Sequence, residues 1–305
     1  MSRVIPLTPS TTPRTPKPEW LRVMAPGSPR YLALRALMRE QTLTTVCEEA
    51  RCPNIGECWT QGTATFMILG EICTRACAYC AVSHGRPNPL DAAEPGRVAD
   101  TVARLGLEYV VITSVDRDDL DDGGASHFAA TIAQTRMRAA RCRIEVLIPD
   151  FQGSDAALRT VLDAGPDILN HNTETVPRLY RMARSGGQYA RTLELLDRAR
   201  RYAPAVPTKS GLMVGLGETE DELLSTLRDL RAVDCQILTI GQYLQPSPNH
   251  APIARYYHPD EFRRLRAEAL GMGFAEVQSG PLVRSSYHAR DTADAYRSVS
   301  GERAR

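Results

Sequence analysis

The sequence predicts an α/β fold in which parallel strands alternate with helices and curl into an open barrel. Three observations support this: six short runs are rich in apolar and β-branched residues, amphipathic segments separate them, and polar residues follow several of the runs. Strands that are apolar on both faces and joined by helical crossovers form a parallel sheet, and right-handed crossovers curl it. We therefore expect functional groups at the carboxyl ends of the strands.

The predicted elements follow one another in regular order. A short helix is expected from Pro29, because Tyr31, Leu34 and Met38 recur at helical spacing, and a loop with the first cysteines should follow it. The apolar runs predict strands at residues 64–69, 109–114, 143–149, 167–172, 207–214 and 236–242. The amphipathic segments predict helices at residues 97–105, 128–139, 155–162, 189–201, 218–230 and 259–270.

Composition divides the chain into four segments. Residues 1–28 are predicted to be a flexible arm, because seven of the 21 prolines lie within the first 30 residues and no apolar period is present. Residues 29–62 form an N-terminal extension that carries the first three cysteines. The barrel is expected at residues 63–280, and residues 281–305 form a C-terminal segment that ends in a flexible tail.

Charge and hydropathy exclude two classes of partner. The formal net charge is +1, which gives no field for holding nucleic acid or an anionic membrane. The longest strand-like apolar run, residues 109–113, is far shorter than the roughly 20 residues of a membrane-spanning helix. Residues 2–15 contain three prolines and lack the apolar core of a secretory signal. We expect a cytoplasmic protein.

Eight cysteines are unusual for a cytoplasmic protein, and six of them lie between Cys47 and Cys80. A reducing compartment disfavours disulfides, so this crowding indicates metal binding or catalysis. The other two, Cys142 and Cys235, stand at the starts of predicted strands. There a free cysteine serves as a small apolar residue, and we expect them to be buried.

A C-x3-C-x2-C loop follows the first predicted strand and consists of Cys73, Cys77 and Cys80. Three thiolates bind three irons of a cubane and leave the fourth iron open, which makes it a reaction site. Zinc is the competing interpretation because His84 lies nearby, although a structural zinc site needs four ligands with paired spacing. Three buried structural cysteines are the remaining alternative.

A second trio, Cys47, Cys52 and Cys58, has the spacing C-x4-C-x5-C. It also falls one ligand short of a closed cubane, so a second cluster here needs a donor from elsewhere or stays open. The C-terminal Arg-Ser-Ser-Tyr run offers two hydroxyls, those of Ser285 and Ser286.

The C-x3-C-x2-C loop with an aromatic residue before its last cysteine resembles the signature of the radical S-adenosylmethionine superfamily. The resemblance implies a partial (β/α)6 barrel. It also implies that Cys73, Cys77 and Cys80 hold a [4Fe-4S] cluster whose open iron chelates S-adenosylmethionine, with Tyr79 near the adenine. Reductive cleavage of this cofactor gives a 5′-deoxyadenosyl radical in that superfamily.

Further strings make the resemblance narrower. Over about residues 17–290, the chain resembles the lipoyl synthase family, on residues 45–54, 66–70, 112–120, 170–176, 209–219 and 284–287. The resemblance implies sulfur insertion at C6 and C8 of an octanoyl chain on a lysine of a lipoyl carrier domain. It implies that Cys47, Cys52, Cys58 and Ser286 hold a second, auxiliary [4Fe-4S] cluster that is consumed as the sulfur source.

The same resemblance implies three classes of partner protein. The substrates are octanoylated carrier domains, found in the acyltransferase components of 2-oxoacid dehydrogenases and in the glycine cleavage H protein. A flavodoxin or ferredoxin supplies electrons, and an iron–sulfur carrier rebuilds the auxiliary cluster.

Polar and glycine residues at the predicted strand ends are candidates for contacts with S-adenosylmethionine. Glycines allow close backbone approach, and amide and carboxylate groups can bind ribose hydroxyls or the methionyl portion. A plain turn is the alternative for the glycines. The candidates are Gly123, Gly124, Asn170, Asn172 and Glu174, with Arg184 carried over from the family although the residues around it depart from its pattern. Residues 242, 243 and 245 are placed to line the octanoyl channel or to form a polar cap on the barrel.

Two other functions compete with this interpretation. A methylthiotransferase acting on tRNA or protein also carries two clusters, but its tRNA form predicts a nucleic-acid module and a basic face. An iron–sulfur scaffold or electron carrier needs fully ligated clusters, whereas this chain leaves one cubane open.

Overall fold

An eight-stranded sheet forms the centre of the computed structural model, which describes residues 16–23, 25–60 and 65–301. The strands are arranged in chain order; β1 is antiparallel to β2, and every later pair is parallel. Within the described residues β8 does not pair with β1 or β2, so the barrel is open. The strands are β1 (Thr44–Thr45), β2 (Thr65–Ile68), β3 (Tyr109–Ser114), β4 (Arg143–Leu147), β5 (Ile168–Asn170), β6 (Thr208–Val214), β7 (Ile237–Gln242) and β8 (Glu276–Gly280).

Helices connect the parallel strands and bury their apolar faces against the sheet. Two of them show why they begin where they do: the Ser28 hydroxyl accepts from Tyr31 at the start of α1, and Thr219 and Glu222 form a capping box at α9. The helices are α1 (Pro29–Glu40), α2 (Val46–Glu49), α3 (Ile55–Thr60), α4 (Glu94–Arg104), α5 (Ala125–Arg138), α6 (Asp155–Asp163), α7 (Tyr180–Ala183), α8 (Tyr189–Tyr202), α9 (Glu220–Ala232), α10 (Pro259–Gly271) and α11 (Ala289–Ser300).

The predicted α/β open barrel is confirmed, with strands and helices at all six predicted places. Cys142 and Cys235 are buried just before β4 and β7, as expected. In the described part of the chain, no helix is long and apolar enough to cross a membrane.

The prediction of a single loop for the first cysteines is wrong, because α2 and α3 lie there. Both helices are too short to show an apolar period in the sequence, and Thr45 starts α2 by accepting the Glu48 N–H. Strands β1 and β8 were not predicted. β1 has two residues, and β8 carries polar side chains at Glu276, Gln278 and Ser279.

Several predictions fall partly outside the described residues. These are residues 1–15 and 24 of the predicted arm, the start of the first predicted strand at residue 64, the boundary between residues 62 and 63, and residues 302–305 of the tail. β1 belongs to the predicted N-terminal extension, yet it pairs with β2 and so joins the sheet of the barrel. The division into four segments stays a prediction.

Candidate functional site

A cavity of about 320 Å³ opens at the carboxyl ends of the strands and brings both cysteine trios to one place. This is a volume typical of small-molecule sites. Five of the six clustered cysteines line it; Cys58 does not, but it lies close enough to Cys47 and Cys52 for their charges to raise its pKa. The wall also includes Tyr79, Asn172, Glu174, Arg284, Ser285 and Ser286.

The loop with Cys73, Cys77 and Cys80 leaves β2 through a sharp turn. Leu69 and Gly70 both have left-handed backbone angles, φ 71° and 92°. The Leu69 N–H donates to the Glu94 carboxylate at 2.8 Å, and Arg117 donates to the Leu69 carbonyl at 3.1 Å. Because a non-glycine residue with positive φ is strained, these two bonds hold the turn that aims the loop into the cavity.

Three hydrogen bonds from distant segments fasten this loop. The Ala78 N–H donates to the Ala183 carbonyl at 2.8 Å, and the Ala251 N–H donates to the Ala78 carbonyl at 2.8 Å. His250 Nε2 lies 3.0 Å from the Cys80 carbonyl oxygen, so its N–H donates there. The loop is therefore fixed by its own backbone, which leaves its thiols available as ligands.

The thiols of this loop suit a metal cluster. Backbone N–H groups of Arg75 and Asp116 donate to Cys73 Sγ at 3.4 and 3.3 Å, which stabilises a thiolate. Burial raises the pKa of Cys77 to about 12 and that of Cys80 to about 11. Without a metal these thiols stay protonated, so cluster binding must release their protons.

The arrangement of side chains favours a cubane over a single ion. No group of three or more His, Cys, Asp or Glu side chains within residues 16–23, 25–60 and 65–301 is gathered closely enough to hold one metal ion. A zinc ion needs its ligands around one point, whereas each thiolate of a cubane binds a different iron. Three thiolates at the spacing of Cys73, Cys77 and Cys80 on one loop fit the second arrangement.

The trio of Cys47, Cys52 and Cys58 is carried by α2, α3 and the turn between them. Burial raises the pKa of Cys47 to about 11 and that of Cys58 to about 12, and the neighbouring thiols raise both further. Cys47 and Cys52 also line the cavity. The trio is a second thiol site on the cavity.

The C-terminal segment of residues 281–288 packs against this trio. Asn54 Nδ2 donates to the Leu282 carbonyl at 2.7 Å, and the Tyr287 hydroxyl donates to the Glu57 carboxylate at 3.2 Å. At Gly241 an added Cβ would lie 2.0 Å from the Val283 carbonyl oxygen, so the backbone of the segment passes directly over β7. The cavity thus receives side chains from both ends of the chain.

The two serines of this segment differ in their partners. The Ser285 hydroxyl donates to Asn172 Oδ1 at 2.8 Å. The Ser286 side chain lines the cavity and makes no hydrogen bond to any residue of the described part. Its hydroxyl is therefore the one available as a ligand. Sequence spacing did not distinguish the two.

Three of the predicted cofactor contacts lie together in the cavity wall: Tyr79, Asn172 and Glu174. Asn172 Nδ2 donates to Glu174 Oε1 at 3.0 Å. Glu174 has φ 70° and is held by backbone hydrogen bonds with Gly211 and Met213, both at 2.8 Å. Burial raises the pKa of its carboxyl.

Arg184 lies next to this group but does not line the cavity. Its guanidinium donates to the Asn172 carbonyl and to the Tyr180 hydroxyl. Its charge also lowers the pKa of Cys77 and Glu174, against the larger effect of burial. Arg184 therefore supports residues of the wall.

The structure does not bring three other candidates to the cavity. Asn170 is fully buried deeper in the barrel and donates to Glu145 Oε1 at 3.0 Å. The glycines at 123 and 124 form the left-handed turn before α5, where an added Cβ would meet the side chain of Phe151 at 3.0 Å and that of Leu69 at 2.4 Å. Their lack of a side chain makes room for these neighbours, and their contact with a cofactor stays a prediction.

Of the three residues expected along the octanoyl channel, only Tyr243 lines the cavity. The Gln242 amide donates to the carbonyls of Val214 and Arg255, each at 3.1 Å. Gln245 donates to the carbonyl of His250 at 2.9 Å. These two glutamines thus form the polar cap that was the alternative.

The role of Arg75 and its partners was not predicted from the sequence. The guanidinium is 4% exposed and donates to Asp118 at 2.7 Å and to Asp150 at 2.6 Å, which joins the cluster loop to the ends of β3 and β4. The sequence did contain a signal for this contact. Arg75 lies between Cys73 and Cys77, and residues 116–119, at the end of the next predicted strand, include three aspartates that could pair with it.

Comparison with known proteins agrees with this geometry. The family model described as "Radical SAM superfamily" matches residues 67–230. A lipoyl synthase of Koribacter versatilis (strain Ellin345) is 60% identical over 279 residues, which cover 92% of each chain. A lipoyl synthase of Rubrobacter xylanophilus is 57% identical over 288 residues, 94% of this chain and 90% of the relative.

The chain belongs to the lipoyl synthase family. The resemblance seen in the cysteine and serine motifs is thereby confirmed. Among solved structures, that of methylornithine synthase (PylB) aligns with 77% of this chain and 80% of its own, at a TM-score of 0.53 and 15% identity. At that identity the likeness shows the shared fold alone.

Proposed function

We propose that this chain is a lipoyl synthase that inserts two sulfur atoms, at C6 and C8 of an octanoyl chain attached to a lysine of a lipoyl carrier domain. Membership of the family supports the reaction. The observation that carries the proposal is the single cavity shared by both thiol trios and by the serine of the C-terminal segment. An octanoyl chain in this cavity would lie beside both thiol trios.

Cys73, Cys77 and Cys80 are assigned to a [4Fe-4S] cluster with one open iron. When bound, this group supplies the one-electron reduction of S-adenosylmethionine that generates a hydrogen-abstracting radical. The chain holds its ligands on a loop that is fixed by backbone hydrogen bonds. Tyr79, Asn172 and Glu174 are the side chains placed to orient the nucleotide.

Cys47, Cys52, Cys58 and Ser286 are assigned to the auxiliary [4Fe-4S] cluster, which is a substrate because it gives up sulfur. An alkoxide matches iron less well than a thiolate, so the serine-bound iron is the one most readily lost when the cluster is dismantled. The free hydroxyl of Ser286 and the positive charge of Arg284 near Cys52 support this assignment.

The remaining work of the protein is to position the octanoyl chain and exclude water. Apolar side chains also line the cavity, among them Leu147, Leu212 and Leu244. Such walls keep a radical away from other hydrogen donors and hold reacting carbons at contact distance.

The partners and compartment are part of the same proposal. The substrates are octanoylated carrier domains of 2-oxoacid dehydrogenase acyltransferases or of the glycine cleavage H protein. A flavodoxin or ferredoxin delivers electrons, and an iron–sulfur carrier rebuilds the auxiliary cluster. All eight cysteines are free thiols, which suits the reducing cytoplasm.

Iron analysis and product mass test this function. After anaerobic reconstitution we expect about eight irons per chain, as two cubanes require. Incubation with S-adenosylmethionine, a reductant and an octanoyl-lysine peptide is expected to give 5′-deoxyadenosine and a product with two added sulfurs, and neither forms when S-adenosylmethionine is left out. A protein with one cluster, or a product without sulfur, would contradict the proposal. Formation of 5′-deoxyadenosine also separates an enzyme from an electron carrier.

A further inference from the structure

Side-chain hydrogen bonds connect Ser285, the residue before Ser286, to Asn172 and through it to Glu174 in the cavity wall. We infer that Ser285 is a positioning residue: it links the nucleotide-binding side chains to the segment that presents Ser286, so that filling either site strengthens the other. This inference rests on the proposed function and extends it to a residue that binds neither cluster.

The link runs through the amide of Asn172. The Ser285 hydroxyl donates to Asn172 Oδ1 at 2.8 Å, and Asn172 Nδ2 donates to Glu174 Oε1 at 3.0 Å. Glu174 lines the cavity together with Tyr79, which directly precedes Cys80. The Asn172 side chain therefore uses its oxygen on the side of Ser286 and its nitrogen on the side of Tyr79 and Cys80.

The fold reserves space for this link. At Gly211, on β6, an added Cβ would lie 2.7 Å from Asn172 Oδ1 and 2.9 Å from Ser285 Oγ. Any larger residue would enter the volume that the hydrogen bond occupies. Gly241, on β7, gives the same freedom to the carbonyl of Val283, two residues before Ser285. The segment therefore lies on two glycines of neighbouring strands.

The nucleotide end of the link is rigid. The guanidinium of Arg184 donates to the Asn172 carbonyl, and backbone hydrogen bonds hold Glu174 to β6 in its strained conformation. Because Asn172 is held rigidly, Ser285 cannot move without breaking its hydrogen bond to Asn172. Ser286 is the next residue, so its hydroxyl is placed by the same bond.

The coupling is reciprocal because it is a free-energy relationship between two sites. A nucleotide that orders Asn172 and Glu174 favours the bonded position of Ser285, and so the liganding position of Ser286. In return, an auxiliary cluster bound to Ser286 holds Ser285 against Asn172. A net hydrogen bond of ordinary strength corresponds to roughly a fivefold change in affinity.

A double-mutant cycle on the full-length protein, reconstituted with both clusters, tests this inference. The dissociation constant of S-adenosylmethionine is measured for wild type, Ser285→Ala, Asn172→Ala and the double variant. Ser285→Ala is expected to weaken binding roughly fivefold in the wild-type background and to have no effect when Asn172 is already alanine. It should keep about eight irons while changing the electron paramagnetic resonance spectrum of the reduced auxiliary cluster.

Ser298→Ala is the matched control, because Ser298 lies exposed on α11 and donates only to the Asp294 carbonyl. It should leave the affinity and the spectrum unchanged. Three results would overturn the inference: an unchanged affinity in Ser285→Ala, an equal loss in the Asn172→Ala background, or loss of auxiliary iron from Ser285→Ala as from Ser286→Ala. These results leave the proposed function standing if wild type forms the lipoyl product; a wild type that forms none ends both proposals.

Discussion

Asn54 donates its side-chain amide to the Leu282 carbonyl at 2.7 Å, across 228 residues of sequence. Asn54 is 3% exposed and lies between Cys52 and Cys58, so the bond fastens the C-terminal segment to the auxiliary trio itself. The Asn54 amide, from the N-terminal part of the chain, thus helps to position Arg284, Ser285 and Ser286 at the cavity.

Replacing Asn54 by alanine should loosen this segment. A buried carbonyl left without its donor costs about 1–3 kcal/mol. We expect Asn54→Ala to release auxiliary iron to a chelator several-fold faster than wild type, while the cluster on Cys73, Cys77 and Cys80 keeps its iron. Asn249→Ala, at an exposed position, serves as the control. Equal release rates for the two variants would show that the segment is held by other contacts.

A methyl group at Gly241 should displace the same segment from its other side. An added Cβ would lie 2.0 Å from the Val283 carbonyl oxygen, and a backbone atom cannot rotate away as a side chain does. Gly241→Ala is therefore expected to lower auxiliary iron content and lipoyl formation together. Gly271→Ala is the control, because nothing lies within 4 Å of an added Cβ there. Full auxiliary iron in Gly241→Ala would contradict the described path of the segment.

The sequence was sufficient for the barrel, and it marked two candidate ligand sets, because both leave local patterns. The apolar runs gave β2 to β7 within a few residues, and the spacing of each cysteine trio marked a ligand set. The depth of a side chain inside the barrel, by contrast, leaves no local pattern in the sequence. Asn170 and Asn172 are equivalent by alternation, yet only Asn172 lines the cavity, because Asn170 pairs with Lys209 near the start of β6, deeper in the barrel.

Contacts between segments far apart in the chain also could not be predicted from the sequence. The Arg-Ser-Ser-Tyr run gave two candidate ligands, but the choice between them depends on the bond from Ser285 to Asn172, 113 residues away. The neighbours of Gly123 and Gly124 were likewise not predictable from the sequence. The structure packs them against Phe151 and Leu69, and their contact with a cofactor stays a prediction.

Replacing single cysteines should affect the reaction differently in the two trios. Alanine at Cys73, Cys77 or Cys80 is expected to abolish both 5′-deoxyadenosine and lipoyl formation. Alanine at any cysteine of the auxiliary trio should abolish lipoyl formation but leave cleavage of S-adenosylmethionine measurable, since the first cluster keeps its ligands. Chromatography for deoxyadenosine and mass spectrometry of the peptide give the two readings, with Cys142→Ala as the control. Wild-type lipoyl yield from Cys52→Ala would refute the sulfur-donor role.

His171 should make stability depend on pH. Burial lowers its pKa to about 3, and the nearby Arg184 charge acts in the same direction. In the unfolded chain the pKa returns to about 6.5, so below that pH the unfolded state binds a proton that the folded state does not. Stability is therefore complete above pH 6.5 and falls as the pH decreases.

From pH 7.5 to pH 5.5 the loss from His171 is about 1.3 kcal/mol. Urea unfolding at both values measures it, and His171→Asn should reduce the difference by that amount whatever its effect at pH 7.5. His258→Gln, at an exposed site, is the control. An unchanged pH difference in His171→Asn would mean that the imidazole accepts a proton in the folded protein.

The interior of the barrel contains one fully buried ion pair whose removal should be costly. Lys209 Nζ lies 2.9 Å from Glu145 Oε1, and both side chains are 0% exposed. Asn170 and Tyr109 also donate to this carboxylate, at 3.0 and 2.6 Å. Lys209→Met leaves Glu145 buried with neutral donors only, and we expect a loss of about 3–5 kcal/mol in the free energy of unfolding.

Chemical denaturation at neutral pH measures this loss. The double variant Lys209→Met with Glu145→Gln should recover much of it, because no uncompensated charge remains in the interior. The comparison is the exposed pair of Arg264 and Glu220, where Arg264→Met should cost about 0–1 kcal/mol. If Lys209→Met were no more destabilising than Arg264→Met, the carboxylate would have to reach water or another cation in the folded barrel.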